Sequence, residues 1–329
     1  STPAPGVPVL DMTGLTGILE YDPGEYTFTA LAGTLLSTVQ DALAEHGQYL
    51  PFDPPLVDAG ATLGGTVAAG LSGSGRQRYG GVRDFLLGVR FVDGQGRLVR
   101  GGGKVVKNAA GFDLPKLFVG SLGQLGVLVE VSFKVFPQPS TCATLAVEQK
   151  TLTAALDRLA SLASASFDID ALDIAINGES VTTLVRIGGL AETLDARLDG
   201  IASHLGKGQR YIGETEKNVW HDAAEFAWRP SETALVKVAL SPAKLAAFDF
   251  ALRDHNPARR YAVGGNLAWL AWHDSLDALD SLLNAHHLAG LILSGEAVPP
   301  VIGDWSGAAF YQRIKRTLDP NQRFPNYLD

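Results

Sequence analysis

Three glycine-rich segments in the N-terminal half carry the residue types best suited to bind a large ligand with phosphate groups. They span residues 60–70, 79–84 and 101–128. Glycine lacks a Cβ atom, so the backbone N–H groups around it can approach a bound group closely. Glycine-lined loops that lead into helices or strands commonly bind phosphates and dinucleotides. On glycine content alone, a pair of structural turns explains the third segment equally well, and both interpretations stay open.

Charged side chains stand inside the same segments. Arg83 and Asp84 follow the glycine pair at 80–81, and Lys107 precedes Asp113 in the third segment. Such charges can form ordinary surface ion pairs. Their position between glycines favours contact with a ligand more than a random surface location does.

The spacing of the relevant residues does not support several other chemistries. No Gly-Lys-Ser/Thr follows a glycine loop, as a P-loop requires. The glycines at 120, 123 and 126 lead into a strand pattern rather than the helix of a dinucleotide fingerprint. The Ser-Gly-Ser-Gly stretch at 72–75 lacks the strand-to-helix turn of a hydrolase nucleophile. The seven histidines show no paired ligand spacing, so we predict no metal site.

Composition and charge narrow the class of protein. The 329 residues are 46% apolar and 19% charged, which suffices for two globular domains. A net charge of −8 argues against nucleic acid as a partner. The single cysteine, Cys142, excludes an iron–sulfur cluster held by this chain alone. No apolar run approaches the ~20 residues needed to cross a bilayer, so we predict no transmembrane segment.

Hydrophobic periodicity and turn residues predict the elements that position the glycine segments. A helix over 35–46, with Thr34 as its N-cap and Gly47 past its end, precedes the first segment. A hairpin of strands 85–93 and 98–100 around a Gly-Gln-Gly turn connects the second segment to the third. The further strands predicted in this half span residues 7–12, 17–23, 26–30, 117–119 and 127–136.

The second half alternates short strands with helices. It begins after the Pro-Gln-Pro break at 137–139 and continues to a final helix over 308–318. The predicted strands span 145–148, 169–176, 181–187, 233–240 and 261–272, and the predicted helices span 151–163, 190–205 and 242–255. This alternation predicts an open antiparallel sheet with helices on one face.

Taken together, the glycine segments resemble the vanillyl-alcohol-oxidase-like, PCMH-type family of FAD-linked oxidases. The similarity is closest to the glycolate oxidase branch, and within it to the smaller of the FAD-binding subunits. The residues that carry the resemblance are 60–65, 79–84, 107–114 and 120–127, with further support from 18–23 and 53–55. The fold that it implies is α+β, with a PCMH-type FAD-binding domain over 1–139, an α+β cap domain over 140–307, and a C-terminal helix and tail over 308–329 that return to the FAD-binding domain.

The resemblance implies FAD as the cofactor and assigns residues to it. In that family the segment matching 60–65 follows the pyrophosphate and ribityl chain through its backbone N–H groups. The segment matching 80–84 follows the same cofactor, and the backbone around 126–127 approaches the flavin ring. The implied cofactor-binding residues are Pro54, Gly60, Ala61, Thr62, Gly64, Gly65, Ala68, Gly70, Gly80, Gly81, Val82, Asp84, Lys107, Asn108, Gly111, Asp113, Gly126 and Val127. No catalytic residue is assigned.

The function implied by the resemblance is that of an FAD-binding subunit in a glycolate oxidase, or 2-hydroxy-acid dehydrogenase, complex. Such a complex oxidises glycolate to glyoxylate and passes the electrons to an iron–sulfur subunit. A second, catalytic FAD-binding subunit completes it. The resemblance places the complex in the cytoplasm, either free or peripheral at the inner face of the cell membrane.

Two features depart from the family pattern. Relatives open with a further strand-loop-strand unit whose loop wraps the FAD pyrophosphate. This sequence begins after that position, so we expect an FAD-binding domain without its first pyrophosphate-binding loop. Relatives also commonly read Asn-Pro-Gly near the C-terminus, where this chain reads Phe324-Pro325-Asn326.

These departures leave two alternatives to the oxidase subunit. One is a cofactor-free docking or scaffold subunit with the same fold, which the missing loop favours. The other is a flavin oxidase that turns over a small alcohol or hydroxy acid by itself. The absence of a histidine cluster in the sequence argues against that second alternative.

Overall fold

The computed structural model of the chain describes residues 8–103, 113–295 and 299–327 and divides into two compact units. The first unit, as we call it, consists of 8–73, Tyr79–Gln138 and 306–327. The second unit consists of Ser74–Arg78 and Pro139–Trp305. Three residues that the sequence assigns to the cofactor lie outside the described residues, namely Lys107, Asn108 and Gly111.

A five-stranded antiparallel sheet forms the base of the first unit. The strands in this part of the chain are β1 (Ile18–Asp22), β2 (Thr27–Leu31), β3 (Gln48–Tyr49), β4 (Leu86–Val92), β5 (Leu98–Gly102), β6 (Val127–Lys134) and β7 (Phe136–Pro137). The sheet has the order β1-β2-β6-β4-β5, and β3 pairs separately with β7. The helices of this unit are α1 (Leu36–Ala44), α2 (Leu63–Ala69), α4 (Val82–Phe85) and α5 (Leu114–Phe118), and three of the four residues of the short helix α3 (Arg76–Tyr79) belong to the second unit.

Apolar residues spaced three and four apart on α1 fill the core of the first unit. Leu36, Val39 and Leu43 are fully buried, which matches the 3.6-residue period of a helix with one apolar face. They join Phe28 and Phe133, which lie on adjacent strands and stack with ring centroids 5.7 Å apart. Burying each such side chain stabilises the fold by roughly 1.5–3 kcal/mol.

The β4–β5 hairpin forms at the turn that the sequence predicts. The Asp93 carboxylate accepts hydrogen bonds from the backbone N–H groups of Gln95 and Arg97, both at 2.9 Å. Gly96 has a φ of +80°, a conformation that glycine adopts without steric cost. The hairpin prediction is therefore confirmed, and its ladder brings Gly102 next to Gly88 at the far end.

Three local predictions in the first unit are wrong. Residues 8–12 form no strand. The N-cap of α1 is Leu35, and the Thr34 hydroxyl instead accepts a hydrogen bond from the Gly17 N–H at 2.9 Å. The apolar run at 117–119 is not a strand, because Pro115 in the first turn of α5 favours a helix that buries Phe118.

A nine-stranded antiparallel sheet forms the base of the second unit and, with its helices, confirms the predicted α+β class. Its strands are β8 (Thr141–Gln149), β9 (Ala171–Asn177), β10 (Ser180–Gly189), β11 (Gln209–Ile212), β12 (Ala234–Ala239), β13 (Ala258–Ala262), β14 (Leu267–Trp272), β15 (Ala289–Ser294) and β16 (Val301–Gly303). They lie in the order β11-β8-β10-β9-β13-β14-β12-β15-β16. The helices are α6 (Leu152–Ala163), α7 (Ala191–Leu205), α8 (Gly213–Ala224), α9 (Pro242–Ala251) and α10 (Leu276–Ala285).

Helices lie on both faces of this larger sheet. Leu145 and Val185 pack on the side that α7 covers. The neighbouring residues on the same strands, Ala146 and Leu184, pack with Trp220 of α8. Successive side chains of a strand point to opposite faces, so α8 lies opposite α7. The expectation of helices on one face is therefore wrong for α8, which has no counterpart among the predicted helices.

The segment predicted as one strand over 261–272 is a tight antiparallel pair. β13 and β14 flank a 3₁₀ turn, Val263–Gly265, and Tyr261 pairs with Ala268. The φ values of the two glycines in this turn, +60° and +87°, let the chain reverse here. Glycine inside the predicted strand was the signal for this reversal.

The last helix, α11 (Ala308–Leu318), belongs to the first unit. Tyr311, Ile314 and Leu318 are spaced three and four apart and pack against the core of that unit. The predicted helix over 308–318 is confirmed.

Candidate cofactor-binding site

A cleft of about 560 Å³ opens in the first unit beside the start of α2. This volume is within the range of ordinary small-molecule sites. Its walls are formed by Val9, Leu10, Asp11, Met12, Ala32, Thr62, Gly64, Gly65, Ala68, Ser121, Gly123, Gly126, Val127 and Leu128. Most of these side chains are small or apolar, so the cleft offers a close backbone surface with few charges.

Six residues that the sequence assigns to the cofactor meet in this cleft. Four come from the first glycine segment and two from the third, although about 60 residues of chain separate the two groups. They are Thr62, Gly64, Gly65, Ala68, Gly126 and Val127. Residues of the first and third glycine segments therefore line the same cleft.

The start of α2 is bound tightly to the strand beside it. Thr62 is the N-cap, and its hydroxyl accepts a hydrogen bond from the Gly65 N–H at 3.2 Å. The Gly64 N–H donates to the Ala32 carbonyl at 2.7 Å. The Leu63 N–H donates to the Thr34 carbonyl at 3.0 Å. The first N–H groups of α2 are thus used within the protein, and the helix presents its small side chains to the cleft instead.

Close packing explains why residue 64 is glycine. A Cβ atom there would lie 2.8 Å from the Ala32 Cβ atom and 2.9 Å from its carbonyl oxygen. Real Cβ atoms do not approach other atoms this closely, so any larger residue would push α2 away from β2. Gly64 therefore serves the fold as well as the cleft.

The loop between α5 and β6 forms the opposite wall. The Gly120 N–H donates to the Val67 carbonyl at 2.9 Å, and the Leu122 N–H donates to the Ala68 carbonyl at 2.8 Å. These bonds satisfy carbonyl groups at the end of α2. At Gly126 a Cβ atom would lie 2.8 Å from the Val92 carbonyl oxygen, so the close approach of two strands requires glycine there.

Ser121 supplies a polar group to this otherwise apolar wall. The residue is 1% exposed, and its hydroxyl oxygen has no hydrogen-bond partner among the described residues. A buried hydroxyl without a partner costs about 1–3 kcal/mol, so such groups in folded proteins call for a ligand or an ordered water. Ser121 is therefore a lining residue of the cleft whose buried hydroxyl still lacks a partner among the described residues.

The second glycine segment has a structural role in the described fold and does not line the cleft. The Asp84 carboxylate accepts a hydrogen bond from the Gly81 N–H at 2.8 Å, and the Val82 N–H donates to the Ser72 hydroxyl at 2.9 Å. The Val82 side chain is part of the core. A Cβ atom on Gly80 would lie 2.6 Å from Asp84 Oδ2, so this turn is shaped around the carboxylate.

The other predicted cofactor residues also lie outside the cleft lining. Pro54 is buried, and Gly60 stands in the exposed loop before α2. The Ala61 carbonyl accepts the Leu36 N–H at 2.9 Å. Gly70 ends α2 in the left-handed conformation, with a φ of +61°.

Asp113 is exposed and lies 3.8 Å from the Lys116 ammonium group. Lys116 also donates to the Leu86 carbonyl at 2.6 Å. Burial lowers the pKa of Lys116, and the nearby Asp113 carboxylate opposes that shift. This pair is an ordinary ion pair at the start of α5 and does not line the cleft.

Several lining residues are not predicted from the sequence. Ser121 and Gly123 lie within the family-like segment at 120–127, but the residues of that segment assigned to the cofactor are Gly126 and Val127. Residues 9–12 were expected to be a strand, and no sequence pattern around Ala32 or Leu128 indicates a role in a binding site. Only the three-dimensional arrangement identifies them.

Within the described residues, no group of three His, Cys, Asp or Glu side chains could hold a metal ion. None of the helices in the described ranges has the length and apolar character needed to cross a membrane.

Comparison with known proteins gives a consistent result. Residues 2–102 match the family model described as "FAD binding domain". The chain is 50% identical over 136 residues to glycolate oxidase subunit GlcE of Escherichia coli K12, covering 41% of this chain and 39% of that protein. It is 33% identical over 163 residues to glycolate oxidase subunit GlcD of Bacillus subtilis, covering 50% and 34%. It is also 33% identical over 145 residues to a D-lactate dehydrogenase of Archaeoglobus fulgidus, covering 44% and 32%.

The matched part of the chain spans only about a third to two fifths of the length of these relatives. Among solved structures, an alkyldihydroxyacetonephosphate synthase superposes with a TM-score of 0.67 at 16% identity, covering 95% of this chain and 66% of that one. At that identity the likeness concerns the fold alone.

Proposed function

We propose that the first unit is an FAD-binding domain of the PCMH-type FAD-linked oxidases and that this chain is an FAD-binding subunit of a glycolate oxidase complex. The observation that carries the proposal is the cleft beside α2, where six residues assigned to FAD from the sequence meet an unpartnered buried hydroxyl. The 50% identity to a glycolate oxidase subunit supports the choice of substrate.

The cleft residues divide by chemistry into two groups. Ala68, Val127 and Leu128 give an apolar surface for an aromatic ring, and the glycines around them keep that surface close to the backbone. We assign to the Ser121 hydroxyl, which has no partner among the described residues, a polar contact with the same ligand. The role that we assign to the chain is to bind and orient the cofactor.

Bound FAD would supply redox chemistry to the proposed complex, as a carrier of the two electrons that are released, with two protons, when glycolate becomes glyoxylate. Those electrons then pass to an iron–sulfur subunit, because a single cysteine cannot hold a cluster. We place a second, catalytic FAD-binding subunit in the same complex. The complex acts in the cytoplasm, free or peripheral at the inner face of the cell membrane.

Titration of the purified chain with FAD, followed by flavin fluorescence, tests the cofactor part of the proposal. We expect saturable binding with one FAD per chain. Oxidation of glycolate, D-lactate and D-2-hydroxyglutarate is then measured after co-expression with candidate partner subunits, with and without this chain. Dependence of glycolate oxidation on this chain supports the proposal, and glycolate turnover unaffected by its removal contradicts it.

One observation favours a second candidate function, a cofactor-free docking subunit. The first N–H groups of α2 are bonded within the protein, so this helix start has little left to offer a pyrophosphate. This candidate predicts that the chain assembles with its partner subunits and that they lose activity without it. It also predicts that the purified chain shows no saturable FAD binding.

A further inference from the structure

The C-terminal segment of the first unit, residues 306–327, is bonded to the loop that forms one wall of the cleft. The Tyr311 hydroxyl donates to the Ser121 carbonyl at 3.0 Å. The Tyr327 N–H donates to the side-chain oxygen of Gln124 at 2.9 Å. The Gln124 side-chain nitrogen in turn donates to the Ser121 carbonyl at 3.2 Å. The tail and the loop therefore share one hydrogen-bond network across about 200 residues of chain.

Lys315 is the centre of this network. Its ammonium group donates to the Gln124 carbonyl at 2.8 Å, to Asp319 Oδ2 at 2.9 Å and to the Phe324 carbonyl at 3.1 Å. The side chain is almost fully buried, and so is its partner Asp319. An ammonium group has three N–H donors, and here each has a partner. A buried lysine with this arrangement fixes the cleft loop and two positions of the C-terminal segment to one point.

Asp319 fixes the tail from the other side. Its carboxylate accepts the backbone N–H groups of Arg323 at 2.8 Å and Phe324 at 2.9 Å. The carbonyl of the preceding residue, Leu318, accepts the Gly94 N–H at 2.9 Å. The end of α11 is thus held between the β4–β5 turn and the cleft loop, and it has little freedom to move separately from either.

The bonded atoms explain how the tail acts on the cleft. Tyr311 binds the carbonyl of Ser121, and Ser121 lines the cleft and carries a buried hydroxyl without a partner among the described residues. Fixing that peptide fixes the backbone of a lining residue. Neither Tyr311 nor Lys315 lines the cleft itself, so each acts through the loop.

We propose that the C-terminal segment sets the FAD affinity of the cleft by holding the Ser121–Gly126 loop, with Tyr311 and Lys315 as positioning residues. This inference rests on the proposed FAD-binding function. Its chemistry is preorganisation: a loop held in its binding conformation before the ligand arrives loses less freedom on binding. A loop released from the tail keeps the same lining residues and binds more weakly.

The chain offers a matched pair of variants for the test. Tyr311→Phe removes the hydroxyl that bonds to Ser121, and Tyr21→Phe removes a hydroxyl that donates to the Gln48 side chain, also at 3.0 Å and in the same unit. Tyr21 lies away from the cleft lining. Each variant loses one hydrogen bond of ordinary strength, so a purely structural effect would be alike in both.

We expect Tyr311→Phe to weaken FAD binding by about fivefold, the effect of losing one typical hydrogen bond that is fully coupled to binding. Tyr21→Phe should bind FAD as the wild type does. Hydrogen exchange of the cofactor-free protein should show faster exchange at the Leu122 and Gln124 amides in Tyr311→Phe alone. Lys315→Met should weaken FAD binding and speed the exchange of the loop amides more than Tyr311→Phe does.

The outcomes separate this inference from the function on which it rests. A wild-type chain that binds no FAD refutes the proposed function and the affinity claim with it. Unchanged loop exchange in Tyr311→Phe refutes the positioning role even if FAD binds. Equal weakening by Tyr311→Phe and Tyr21→Phe also overturns it, because the effect would then be one of general stability. If Lys315→Met does not fold, the comparison of Tyr311→Phe with Tyr21→Phe still tests the positioning role of the C-terminal segment.

Discussion

At the scale of single residues, the glycines of this chain serve packing at least as much as ligand binding. Gly64 allows α2 to approach β2, and Gly126 allows β6 to approach β4. Gly80 faces the Asp84 carboxylate in a turn outside the cleft. Glycine content therefore marks where backbones come close, and only the assembled cleft distinguishes a ligand surface from a protein contact.

Gly64→Ala should destabilise the protein by roughly 1–3 kcal/mol, because the new methyl group collides with Ala32 in a packed core. Gly65→Ala is the matched control on the same turn of α2. Its Cβ atom would meet only the Thr62 hydroxyl, at 3.1 Å, and alanine favours a helix. Urea unfolding of both variants measures the difference. Equal midpoints and slopes for the two variants would refute this account of residue 64.

Ser121→Ala should affect stability and binding with opposite signs. Without ligand, the variant no longer buries an unpartnered hydroxyl, so its free energy of unfolding should stay equal to that of the wild type or rise by about 1 kcal/mol. With FAD, it should bind more weakly, because the polar contact is lost. Thermal unfolding with and without FAD measures both. A variant that loses stability and keeps full affinity contradicts the role given to this hydroxyl.

At the scale of elements, β12 in the second unit carries an unusual charge. Burial, together with the positive charge of Arg76, lowers the pKa of Lys237 to about 8. Across the strands Lys237 pairs with Trp269, which pairs in turn with Arg260. Arg260 is neutralised by Asp173 at 2.6 Å. Holding the Lys237 ammonium in this strand therefore costs stability at neutral pH.

The stability of the protein should rise between about pH 8 and pH 10, because the unfolded chain still binds a proton at this lysine while the folded chain does not. The cost that is relieved is on the order of 3 kcal/mol, and it is fully present below pH 8. Above pH 10 the buried Tyr261, whose pKa burial raises, opposes the gain. Lys237→Met should lack the rise, and the exposed Lys207→Met should retain it. A Lys237→Met profile parallel to the wild type over this range contradicts the prediction.

Some elements are predictable from the sequence because their signals are local. The Gly-Gln-Gly hairpin turn and the amphipathic pattern of α11 each act within a few residues. The strand predicted at 117–119 fails, because one proline outweighs an apolar run. The bond between Tyr311 and Ser121 spans 190 residues and leaves no local trace. Eight of the fourteen residues that line the cleft were not assigned to the cofactor from the sequence, because their contribution depends on the three-dimensional arrangement.

At the scale of the whole molecule, the first unit is assembled from separate stretches of chain. Residues 9–12, 62–68 and 121–128 meet at the cleft. Residues 306–327, which follow the second unit in the sequence, belong to the first unit and hold one wall of the cleft. The site therefore draws on residues near both ends of the described chain. This arrangement connects the folding of the first unit to its proposed cofactor.

The central claim is that FAD binds in the cleft beside α2, and two neighbouring alanines on that helix test it most directly. Ala68 lines the cleft, whereas Ala69 does not. Leucine suits a helix at either position, so both variants should fold. Equilibrium titration with FAD should show Ala69→Leu binding as the wild type does. Ala68→Leu should bind about tenfold more weakly or worse, because the added side chain fills the cleft. Undiminished binding by Ala68→Leu would contradict the account.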